Sequence, residues 1–96
     1  MSNQEKASEV AKRKILNEIE HDAEMKIWFE AKVVRTPIEH SDPYRHNEAF
    51  YTEKLEKDIE LAKMMVITKQ EINDAKDRGF DKAYDAIEES DNQGWE

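Results

Sequence analysis

Five carboxylates, Asp74, Asp77, Asp81, Asp85 and Glu88, recur at intervals of 3, 4, 4 and 3 in the C-terminal third of this 96-residue chain. At about 100° per residue, that spacing sets all five on one face of a helix. Over Asp74 to Glu88 the face runs about 21 Å, at about 1.5 Å per residue. No lysine or arginine falls within the row. Like charges at i,i+4 repel, so the face requires open solvent or a basic partner. Its repeat of about 5–6 Å approximates a row of phosphates in sign and spacing. Tyr84 borders the row, as an aromatic anchor borders the charged rim of an interface. Asp74, Asp77, Asp81, Tyr84, Asp85 and Glu88 are therefore the candidate partner-binding residues.

Other groupings carry less. Glu39, His40, Asp42 and His46 are ligand-type side chains within eight residues, but they match no HExxH or paired metal spacing, and no metal is assigned to them. There is no glycine-rich phosphate loop, no GxSxG and no cysteine. Carboxylates are so abundant that no acid–base pair stands out. The chain is therefore read as no enzyme, with no catalytic residues and no cofactor. Lys12-Arg13-Lys14 spreads around a helix and is interleaved with Glu9 and Glu18, which makes it a solvated face. The stretch from Thr68 to Ile87, with Gly79-Phe80 at its centre, loosely resembles helix-turn-helix regulators. The position before Ala75 should then be apolar and is Asp74, and the DNA-facing side would be acidic, so direct nucleic-acid binding is set aside.

Net charge is −8 and unevenly spread. Residues 1–36 carry seven acidic and seven basic side chains, 37–67 seven and four, and 68–96 nine and four. An acidic balance argues against phosphate-backbone binding, which depends on Lys and Arg. It suits a protein partner with a basic surface, including a nucleic-acid-binding protein whose groove the row would occupy. No apolar run reaches the ~18–20 residues of a membrane span and the N-terminus is polar, so no membrane is involved and a cytoplasmic protein is expected.

The elements that must position these residues follow from periodicity. Two glycines and two prolines are too few for an all-β fold. From Gln4 to Arg35 there is neither, and Leu16, Ile19, Ala23, Ile27, Ala31 and Val34 form one helical stripe. Ala11, Ile15, Phe29 and Val33 form a second about 100° away, so this helix touches two neighbours. Thr36-Pro37 ends it. A rival reading makes residues 25–34 a short strand in an α+β fold, because Met25, Ile27, Phe29, Ala31 and Val33 also alternate. Ser41 or Asp42 caps a second helix with Pro43 in its first turn. Tyr44, Tyr51, Leu55, Ile59, Ala62 and Val66 form its inner stripe, and Phe50, Leu61 and Met64 a second one. Thr68–Glu71 is a capping box that opens a third helix. Ile72, Ala75, Ala83, Ala86 and Ile87 line its inner face, with Gly79 inside it to admit another backbone.

The expectation is one all-α domain over 1–96, a three-helix antiparallel bundle with helices about 4–35, 43–66 and 69–90 and a polar tail over 90–96. The first helix outruns its partners, and a homo-oligomer or a partner complex would cover its apolar overhang. The functional expectation is a non-catalytic acidic protein that binds and inhibits or regulates a macromolecular partner, nucleic-acid mimicry being one form of this. In type it resembles small phage- and plasmid-encoded inhibitors, and no motif assigns it to a family. The alternative is a structural or oligomeric scaffold unit whose acidic face is merely solvated.

Overall fold

The run free of glycine and proline becomes a single helix in the computed structural model, which describes residues 3–92, with side chains over 8–89. Helix α1 spans Asn3–Arg35, α2 Asp42–Met64 and α3 Lys69–Asn92, with a short 3-10 helix at Ile38–His40 in the first linker. The fold is an all-α three-helix bundle, and no strand occurs among the described residues. The strand considered for residues 25–34 is corrected to helix. Its apparent alternation is two helical stripes overlaid: Ile27 and Ala31 line a groove with Tyr84 and Ile87 of α3, while Phe29 stacks on Tyr44 and Tyr51 of α2. The expected tail begins as helix, since α3 continues to Asn92; residues 93–96 lie outside the described residues.

The 33-residue α1 is the spine. Its length of about 50 Å matches the longest dimension of the molecule, 53 Å. Helix α2 runs antiparallel to it, pairing Lys54 with Glu18 and Asp22 and Tyr44 with Phe29. Helix α3 then runs parallel to α1: Glu71 meets Lys12, Arg78 and Lys82 meet Glu20, and Tyr84 and Ile87 lie beside Ile27 and Val34. Both packed helices lie along α1 but touch each other only sparsely. This is the physical meaning of two stripes on one helix. The core gathers Ile15, Ile19 and Ala23 of α1, Leu55 and Ala62 of α2, Ile67 of the turn, and Ile72 and Ala75 of α3.

Helices α2 and α3 scarcely meet, and the second α2 stripe is exposed at Phe50, Leu61 and Met64. Uncovered apolar side chains also occur outside α2, at Val34 near the end of α1, Ile38 of the linker and Val66 of the turn. On the described N-terminal overhang of α1 the exposed apolar surface reduces to Val10. Ser41 precedes α2 without a side-chain cap; its buried hydroxyl instead donates to the Ile38 carbonyl and accepts from Arg45 Nε, which fixes the linker.

Val66 also departs from expectation. It leaves the inner stripe of α2 because that helix stops at Met64, and it lies 88 % exposed at φ 59°. The Ile67 amide bonds the Ala62 carbonyl, the wide-loop bond of a Schellman ending, and Ile67 takes the buried position instead. The capping box then starts α3, with the Glu71 amide donating to Thr68 Oγ1 and the Thr68 amide to Glu71 Oε1. A β-branched residue is strained at positive φ. Val66→Gly is therefore expected to stabilise the protein by about 1 kcal/mol, measured by urea denaturation, even though glycine loosens the unfolded chain.

Candidate functional site

The acidic row depends on α3 staying straight across Gly79. The helix is unbroken there, and Gly79 is buried against the Glu20–Glu24 turn of α1. A helix without interruption over Lys69–Asn92 also excludes a helix-turn-helix break at this glycine. Ile72, Ala75 and Ala83 share the buried face with Gly79, and the opposite face carries the row.

Asp74, Asp77, Asp81, Asp85 and Glu88 are all exposed. Asp74 accepts a hydrogen bond from Gln70 at 2.9 Å. Asp77, Asp81, Asp85 and Glu88 make no ion pair or hydrogen bond among the described residues. The cations nearest the row are drawn away from it. Arg78 Nε pairs with Glu20 Oε1 at 2.7 Å and Lys82 with Glu20 Oε2, so both reach sideways across α1. Lys82 and then Arg78 hold the Glu20 carboxyl below its ordinary range, and Glu20 in turn raises the Lys82 ammonium. Both cations thus share one carboxylate on α1 and make no ion pair with the row among the described residues. Tyr84, 57 % exposed, stands beside it over a groove lined by Ile27, Ala31, Val34 and Ile87. Trp28, the other aromatic off the main stripes, lies in a cleft with Met25, Ala83 and Ala86, and Lys32 lies 5.2 Å from its ring.

Glu39, His40, Asp42 and His46 are exposed and do not converge. The carboxylates that do converge are Glu18 and Asp22 of α1 and Asp58 of α2, each offering an oxygen within 4.8 Å of the others. Lys54 Nζ lies among them, 2.7 Å from Glu18, 3.0 Å from Asp22 and 3.2 Å from Asp58. The ammonium is the cation of this cluster, which makes it a carboxylate–lysine network rather than a metal centre. Burial works against the Lys54 charge, but Glu18, Asp22 and Asp58 outweigh it and push its pKa upward. Asp22 is fully buried, and its Oδ2 has no hydrogen-bond partner among the described residues. Burial, then the neighbouring Asp58, raise the Asp22 carboxyl from 3.8 to about 7 despite Lys54.

Sequence reasoning passes over this network, although a signal for it exists. The second α1 stripe breaks between Ile15 and Phe29, where that face carries Glu18, Asp22 and Lys26. A charged gap in an apolar stripe calls for an opposite charge on the facing helix. No helix among the described residues is long and apolar enough to cross a membrane. No family model, no curated protein and no solved structure matches the chain, so its functional reading rests on its own residues.

Proposed function

We propose that this chain is a non-catalytic binding protein whose acidic α3 face docks on a basic surface of a macromolecular partner and inhibits or regulates it. The observation that supports this reading is the state of the row. Four of its five carboxylates are unpaired among the described residues, and the adjacent Arg78 and Lys82 are spent on Glu20. A merely solvated face gains by placing such cations beside its acids at i,i+4. Here both flanking cations reach across to Glu20 of α1, so about 21 Å of acidic face is left without an ion pair among the described residues. The finer form of the reading is nucleic-acid mimicry, in which the row fills a groove that normally holds phosphates and Tyr84 anchors its edge.

The test is affinity capture with mass spectrometry at low and moderate salt, using wild type and the triple variant Asp77→Lys, Asp81→Lys, Asp85→Lys. The expected result is a basic partner captured by wild type and released as salt rises, with at least tenfold weaker capture by the triple variant. Competition by short duplex DNA would mark the mimicry form. Capture indifferent to charge reversal would sink the acidic-face reading. The exposed Phe50, Leu61 and Met64 stripe favours a second reading, a structural unit that assembles through α2. In that case Phe50→Asp, rather than the charge reversals, removes the bound species, and the bound species is another copy of the chain.

A further inference from the structure

We propose that Glu18, Asp22, Lys54 and Asp58 form a proton-operated latch between α1 and α2, closed while the cluster holds a proton and loosened when that proton leaves. Three carboxylates surround one ammonium. Fully ionised, the group carries two excess negative charges, one of them on a side chain with no exposure. Water cannot reach Asp22 to compensate, and its Oδ2 has no donor among the described residues. A proton there supplies what the site lacks: it removes one charge and gives the orphan oxygen a hydrogen to offer Asp58. Two carboxyls sharing one site repel when both are ionised, so one of them keeps its proton to higher pH.

The groups facing Asp22 can be named helix by helix. On α1, Glu18 lies one turn before it, and Lys26 one turn after it is engaged with Glu30 at 3.5 Å. On α2, Lys54 and Asp58 face it. Lys12 and Glu20, the α1 residues that pair with Glu71, Arg78 and Lys82 of α3, point away from Asp22. His21 is adjacent in sequence and meets the edge of Tyr51 at 6.0 Å. The folded protein retains a proton on Asp22 that the unfolded chain, with an aspartate near 3.8, has already released. The resulting stabilisation is complete below that value and is lost as pH rises through about 7. The loss falls on α2, which the cluster ties to α1 midway between the Phe29–Tyr51 stack and the Leu55–Ala62 core. Helix α3 scarcely touches α2 and cannot take up the strain.

Hydrogen exchange of the full chain at pH 6.0 and 8.5, corrected for intrinsic rates, together with carboxyl carbon NMR of Asp22, tests the latch. The expected result is an Asp22 midpoint near 7 and a loss of up to about tenfold in amide protection across α2 at the higher pH, with α3 little changed. Asp22→Asn, which keeps the shape and stays neutral, abolishes that loss; His21→Gln retains it; Asp58→Asn lowers the Asp22 midpoint. An ordinary carboxylate midpoint for Asp22, or an Asp22→Asn protein with the wild-type pH profile, would overturn the proposal. So would protection lost equally from α2 and α3. Partner capture by the acidic row is a separate readout and can fail without affecting any of these outcomes.

Discussion

Gly79→Ala lowers the melting temperature by about 10 °C, on the scale of about 4–8 °C per kcal/mol for a domain of this size. Helix propensity dictates the reverse, since alanine is favoured over glycine by about 1 kcal/mol inside a helix. The contact decides the sign. A Cβ at this position would lie 2.2 Å from the Glu20 carbonyl oxygen, 2.8 Å from Ala23 Cβ and 3.0 Å from the Glu24 nitrogen. Two of these three are backbone atoms and cannot rotate away. Helix α3 must back off α1, opening the packing of Ile72, Ala75 and Ala83. Overpacking of this kind costs about 1–3 kcal/mol, and with so little room at Gly79 the net loss should be about 2 kcal/mol. Thermal melts followed by circular dichroism measure it. A variant as stable as wild type would show that the helices do not meet there. The same displacement pulls Arg78 and Lys82 away from Glu20, freeing two cations to turn toward the acidic row.

Ile19→Ala removes the largest fully buried apolar side chain and is expected to cost about 4 kcal/mol, within the range of about 2–5 for buried large-to-small changes. Ile19 is fully buried in the cluster where α1, α2 and α3 all contribute. Its surroundings are helices held on more than one side rather than a loop able to collapse, so the cavity persists. A chain of this size has about 5–15 kcal/mol in total, and the variant should sit close to its unfolding threshold at 37 °C. Urea titration measures the loss. Ile19→Val, which leaves most of the volume filled, should cost about 1 kcal/mol. A loss below 1 kcal/mol for the alanine variant would place the core elsewhere.

The helices and their bounds were legible because their signals are local: proline after Thr36, the Thr68–Glu71 capping box, and apolar stripes that persist over many turns. The doubled stripe on α1 even announced two neighbours. What periodicity cannot report is whether those neighbours also meet each other. Phe50, Leu61 and Met64 repeat as regularly as a buried face yet are exposed, because burial depends on the angle between α2 and α3 around α1. The acidic row was visible for the same reason the stripes were. The Lys54 network was not, since it joins residues 32 and 36 positions apart, and only an interruption in a stripe marks it. Val66 leaves the stripe that periodicity predicts for it, because the end of α2 is set by a backbone reversal that carries no glycine to announce it.

The parallel arrangement of α1 and α3 has an electrostatic consequence of its own. Each helix carries the equivalent of about half a negative charge at its C-terminus, and these two ends lie at the same pole of a molecule 53 Å long. Helix α1 answers with Lys32 and Arg35 in its last turn. Helix α3 has no basic residue there. Its peptide dipole therefore adds to Asp85 and Glu88 instead of opposing them, and the negative potential along the row grows toward that pole. A cationic surface approaching by diffusion would be turned toward the C-terminal end of α3 before any contact forms.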